Sequence, residues 1–116
     1  MSLFWWLPFG TVPELTPTEL AELLAQEPAP FLIDVRTSGE FQSSHIPGAS
    51  HFGLGELKTA LEAGTLDNAG RPCIAICLTA HRSIPAVRLL RRHGHTDARQ
   101  LAGGMRAWWK AGLPTE

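Results

Sequence analysis

Cys77 is the residue with the most chemical potential in this chain. It closes the apolar run Ile74-Ala75-Ile76 and is followed by the polar stretch Leu78-Thr79-Ala80-His81-Arg82-Ser83, after which a helical pattern begins. That order predicts a thiol at the C-terminal end of a buried strand, facing the N-terminus of a helix, where open α/β sheets bind their ligands. A thiol attacks as its thiolate, and helix N-termini and nearby cations favour that form. The unpaired N–H groups of a helix start carry about half a positive charge, and Arg82 and His81 add side-chain charge in the loop. The amides of Leu78 through Ser83 can turn inward as an anion nest holding a thiolate, a persulfide or a small oxyanion. The competing reading of the same residues is a structural cysteine at a strand end, since cysteine is among the most buried residue types. A second polar feature is Asp34, which interrupts the run Phe31-Leu32-Ile33-Asp34-Val35. A carboxylate at a buried strand end must be paired or hydrogen-bonded, and Arg36, Ser38 and the backbone of the turn are its candidates.

These residues need a scaffold, and the chain supplies a regular alternation. Thr11–Leu15 reads as a short edge strand limited by Pro13. Thr16-Pro17-Thr18-Glu19 is a capping box that opens a helix running to about Gln26, with Leu20, Leu23 and Leu24 on one face. Phe31–Val35 reads as a buried parallel strand and Ser38–Ser43 as one or two helical turns. The Pro47-Gly48 turn leads to a short strand within residues 49–52. Leu54–Ala63 has helical spacing and stops at Gly64. Cys73–Cys77 is the central strand and Ser83–His93 a helix, with Pro85 tolerated in its first turn and Gly94 just past its end. A weak strand over Ala98–Leu101, the turn Gly103-Gly104 and a last helix over Met105–Ala111 complete an α/β reading: a mostly parallel sheet with helices on both faces.

Composition sets outer bounds. The 116 residues suit one domain, 44% of them are hydrophobic and 18% charged, and the formal net charge of −1 gives no reason to expect a nucleic-acid partner. Arg88, Arg91 and Arg92, beside His93 and His95, form the one basic cluster. It reads either as a solvated helix end complementing the helix dipole or as a docking patch for an acidic partner. Residues 1–10 form an apolar aromatic arm broken by Pro8 and Gly10. It is too short for a membrane span, which needs ~20 apolar residues, and lacks the basic start of a signal peptide. The arm either packs back onto the domain of residues 11–116 or serves as an interfacial anchor or dimer contact, so a monomer or weak homodimer is expected. Cys73 and Cys77 would lie about 13 Å apart on one strand, too far for a disulfide. Unpaired cysteines point to a reducing, cytoplasmic setting. The histidines and cysteines do not combine at zinc spacing, so no metal site is expected, and Trp108 and Trp109 read as packing residues on the last helix.

Taken in order, Asp34-Val35-Arg36, Glu40-Phe41, His45-Ile46-Pro47-Gly48-Ala49, Cys77 with Arg82-Ser83, Gly103-Gly104 before Trp108, and Ala111-Gly112-Leu113-Pro114 resemble the single-domain rhodaneses, the thiosulfate sulfurtransferase-like domains, over residues 12–114. The resemblance implies a five-stranded parallel sheet flanked by helices, no cofactor, and a cysteine that takes the outer sulfur of a donor such as thiosulfate and passes it to cyanide, a thiol or a protein acceptor. By position, Cys77 would carry the persulfide, Leu78, Thr79, Ala80, His81, Arg82 and Ser83 would bind the substrate, and Asp34 with Arg36 would support the structure. Phosphatases resembling this fold use a Cys-x5-Arg loop, whereas the spacing here is Cys77-x4-Arg82, a tighter loop that suits sulfur better than a phosphate ester or arsenate. A docking or sensing module on the same fold is the other alternative. Ala80 stands where many relatives have glycine; if that position needs a positive φ, alanine costs about 1 kcal/mol or more.

Overall fold

The computed structural model describes residues 5–7 and 9–116. Five strands alternate with five helices: β1 (Glu14–Leu15), α1 (Pro17–Leu24), β2 (Phe31–Asp34), α2 (Ser38–Ser43), β3 (Ser50–His51), α3 (Leu54–Ala63), β4 (Cys73–Ile76), α4 (Ser83–Arg92), β5 (Arg99–Leu101) and α5 (Gly104–Lys110). All strand pairs are parallel, in the order β1-β5-β4-β2-β3. The α/β architecture expected from the alternation is the one observed.

The period-two geometry of β4 divides the core. Cys73 and Ala75, with Cys77 just beyond the strand, point to one face, where they pack with Leu57 and Leu61 of α3 and Ala86, Val87, Leu89 and Leu90 of α4. Ile74 and Ile76 point to the other, where they meet Leu20 of α1 and Met105 and Trp108 of α5. All four residues of β4 are fully buried, as a central parallel strand covered on both sides requires. Every strand after β1 lies between two helices in sequence, so the C-terminal ends of the strands share one edge of the sheet. Cys77 is on that edge.

Several boundaries differ from the sequence expectation, each for a local reason. β1 is shorter because Pro13 has no N–H, although its carbonyl still accepts from Gln100 N at 3.0 Å. β4 stops at Ile76, whose carbonyl accepts from Val35 N at 2.9 Å, and Cys77 turns out of the ladder. α1 ends at Leu24, and the next two N–H groups close tighter turns onto Glu22 and Leu23. The capping box of α1 is present as expected from Thr16 and Glu19. A second one, Thr37 with Glu40, opens α2.

The N-terminal arm is only partly within view: Leu3, Phe4 and Pro8 lie outside the described residues. Trp5 packs against the α3–α4 core, while Trp6 and Phe9 are exposed. The Leu7 and Phe9 carbonyls accept from the Arg88 guanidinium, each at 2.8 Å. Arg91 donates to Ala98 O at 2.9 Å. Two members of the basic cluster therefore hold neighbouring backbone, a role in neither reading drawn from the sequence. Trp108 is buried and donates to Pro114 O at 2.8 Å, whereas Trp109 is exposed. No helix among the described residues is long and apolar enough to cross a membrane.

Candidate active site

The loop after β4 is held from below by α5. The first N–H groups of a helix have no partner within it. Here Met105 N donates to Cys77 O at 2.8 Å and Arg106 N donates to Leu78 O at 3.1 Å. Because a trans peptide points its N–H opposite to its C=O, the amides of Leu78 and Thr79 turn away from α5. Gly104 makes the approach of α5 to the loop possible. Its φ is +61°, and a Cβ there would run into the Cys77 carbonyl and the Leu78 peptide, backbone that cannot yield as a side chain could.

From the other side, the start of α4 reaches the thiol. Arg82 N donates to Cys77 Sγ at 3.3 Å. Cys77 is 1% exposed and lies at the floor of the loop, with Leu78, Thr79 and Ala80 half-buried around it and His81 exposed. Ala80 has φ +70°, so this loop does place an alanine in the left-handed region. The His81 ring pairs through Nδ1 with Thr79 Oγ1 at 2.9 Å. The Ser83 hydroxyl is committed elsewhere. It donates to Gln100 Oε1 at 2.7 Å, and Gln100 Nε2 donates in turn to Glu14 Oε1 at 2.9 Å. That chain ties α4 to β5 and β1, and leaves Ser83 only its backbone to offer a ligand.

The Arg82 guanidinium is closed by α2. Its two terminal nitrogens donate to the two carboxylate oxygens of Glu40 at 2.7 Å and 2.9 Å. Glu40 is also the third residue of α2 and completes its capping box, accepting from Thr37 N at 2.9 Å. These bonds, led by Arg82, hold the Glu40 carboxyl down at about 2. In return, Glu40 pushes the Arg82 pKa upward, and Cys77 adds to that push. The sequence series contained Glu40 without a role. The signal was available: Thr37-x-x-Glu40 is a capping-box spacing, which fixes the carboxylate at the start of α2.

Asp34 and Arg36 support this bracket. Asp34 is fully buried and Arg36 is 1% exposed. Arg36 donates from Nε and Nη2 to the carboxylate at 2.9 Å and 2.7 Å, and its backbone N–H adds a bond of 3.1 Å. The guanidinium also donates to Ser44 O, at the end of α2, at 2.7 Å. The exit of β2 is thereby fastened to α2, the helix that presents Glu40 to the loop.

Cys73 lies on the same face of β4. It is fully buried, and burial, with Asp97 nearby, pushes its thiol up to about 11. Both cysteines are free. Among the described residues, no three of His, Cys, Asp and Glu are placed to hold a metal ion.

The family described as Rhodanese-like domain matches residues 16–111. The human thiosulfate:glutathione sulfurtransferase is 34% identical over 107 residues, covering 83% of this chain and 92% of that protein. Thiosulfate sulfurtransferase GlpE of Pseudomonas savastanoi is 31% identical over 100 residues, covering 86% and 90%. Among solved structures, the Alr3790 protein from Anabaena superposes with a TM-score of 0.78 at 29% identity, covering 88% of this chain and 81% of that one. Other curated relatives are longer, and the chain spans 42% to 59% of three of them.

Proposed function

Because the chain belongs to the rhodanese-like domain family, we propose that it moves sulfane sulfur through a persulfide on Cys77. The Cys77 thiolate attacks the outer sulfur of a donor such as thiosulfate, the S–S bond of the donor breaks, and sulfite leaves with the bonding pair. The persulfide then gives its outer sulfur to cyanide, a low-molecular-weight thiol or a protein thiol, and the Cys77 thiolate returns. No net oxidation is needed, because the sulfur arrives and leaves at the same oxidation level.

The observation that carries this reading is the Arg82 N–H at 3.3 Å from Cys77 Sγ, on a loop whose Cys77 and Leu78 carbonyls are drawn to α5. A preorganised N–H stabilises negative sulfur before and after transfer, at no cost in reorganisation. The tight spacing from Cys77 to Arg82 favours a one-atom cargo over a tetrahedral phosphate.

Turnover tests it. Thiosulfate with cyanide should yield sulfite and thiocyanate, with activity lost in Cys77→Ser and kept in Cys73→Ser. A protein that makes no thiocyanate, with a Cys77 that alkylates no faster than a free cysteine, would instead be a docking or sensing module.

A further inference from the structure

The Arg82–Glu40 pair bears on which donors the loop accepts. We propose that Glu40 sets the charge class of the donor: by closing the guanidinium of Arg82, it tunes the site to a monoanionic or neutral sulfane-sulfur compound, an organic persulfide or thiosulfonate, over a dianion. This rests on the persulfide reading above and refines its substrate.

The geometry supports it in three ways. First, the pair is bidentate, at 2.7 Å and 2.9 Å, so the fork of the guanidinium is filled by a carboxylate of the shape a donor oxyanion would present. Second, the carboxylate is fixed independently of Arg82. It caps α2 through Thr37 N and Thr37 Oγ1 at 2.9 Å and 3.0 Å, so it cannot swing aside without uncapping a helix. Third, the other basic side chains at the loop are exposed: His81, whose ring pairs with Thr79 Oγ1 at 2.9 Å, and Arg106 of α5, whose backbone N–H donates to Leu78 O. The group bonded to the sulfur is the Arg82 N–H, which suits a single diffuse negative charge and offers a second one little.

The chemistry balances for either class. With an organic persulfide, the Cys77 thiolate bonds to the outer sulfur and the thiolate RS⁻ leaves. With methanethiosulfonate, the same attack releases methanesulfinate. Methanethiosulfonate resembles thiosulfate with one charged oxygen replaced by methyl, so comparing the two isolates charge at nearly constant shape.

The experiment measures kcat/KM for thiosulfate and for methanethiosulfonate, with cyanide as acceptor, in the wild type and in Glu40→Gln. Glutamine keeps an oxygen to cap α2, removes the charge, and puts an amide nitrogen where an oxygen accepted from Arg82 Nη2, so the guanidinium is no longer closed. One uncompensated positive charge acting on one extra negative charge at contact range, partly screened, shifts the thiosulfate-to-methanethiosulfonate ratio by about fivefold toward thiosulfate. The shift should shrink as salt is raised. Thermal unfolding of Glu40→Gln confirms that the variant is folded, and Glu40→Asp, which retains the charge, should keep the wild-type ratio. An unchanged ratio in folded Glu40→Gln overturns the assignment while leaving the persulfide cycle intact. Failure of both donors to load the wild type overturns the cycle itself.

Discussion

Ala80→Gly should make the protein more stable, and the size of the gain follows from one dihedral angle. Ala80 has φ +70°, where the Cβ of an L-residue crowds the backbone at a cost of roughly 1–2 kcal/mol. Glycine removes that cost but adds freedom to the unfolded chain, worth about 0.4–1 kcal/mol in the other direction. The net is a gain of roughly 0.5–1 kcal/mol. For a chain of 116 residues, the unfolding entropy is about 0.24 kcal/mol/K, so Tm rises by about 2–4 °C. Differential scanning calorimetry with parallel urea melts is the assay, with Ala80→Val as the opposite perturbation, since a β-branched side chain is worse there. The loop path is already the one glycine prefers, so the rate of sulfur loading on Cys77 should change by less than about twofold in Ala80→Gly, the net free-energy gain being small. A fall in Tm, or a Val variant as stable as the wild type, would refute the strain.

Gly104→Ala should be the converse: a left-handed φ and a blocked approach to the Cys77–Leu78 peptide together cost about 3 kcal/mol, read as a Tm lower by roughly 12 °C and slower loading. Gly39→Ala, whose added Cβ would meet nothing within 4 Å, serves as the control and should not destabilise. Asp34→Ala strands the Arg36 guanidinium, 1% exposed, and should cost about 3–5 kcal/mol in urea melts. The Glu40 carboxyl is held at about 2, below its ordinary value of 4.5. Its contribution to stability is therefore full above that ordinary value and fades as pH falls toward 2. Because the pair is partly exposed, that contribution is about 1 kcal/mol. Wild type and Glu40→Gln should differ by that much at neutral pH in urea melts and converge in acid.

Much of the fold was legible because its signals are local. The Thr16–Glu19 capping box, the 54–63 helix stopped by Gly64 and the apolar run of β4 each declare themselves within a few residues. The position of Cys77 at a strand end, before a helix, was readable for the same reason. The site's supports were less so. The Arg82–Glu40 pair joins charged residues 42 positions apart, and nothing local distinguishes such a pair from two solvated side chains. The grip of α5 on the loop passes through backbone carbonyls, which sequence does not display; only Gly103-Gly104 hinted at it. Ser83 read as a loop ligand because its neighbours are loop residues, but its hydroxyl points into the sheet to Gln100. Arg88 and Arg91 read as a solvated helix end or a docking patch because the carbonyls they hold belong to the arm and to the segment leading into β5.

The central claim is that Cys77 carries the transferred sulfur, and intact-mass measurement tests it most directly. After incubation with thiosulfate, methanethiosulfonate or an organic persulfide and removal of excess donor, the protein should be heavier by one sulfur atom. The gain should vanish on treatment with cyanide or dithiothreitol, be absent in Cys77→Ser and persist in Cys73→Ser. No gain with any of the three donors, or a gain that survives in Cys77→Ser, would contradict the account.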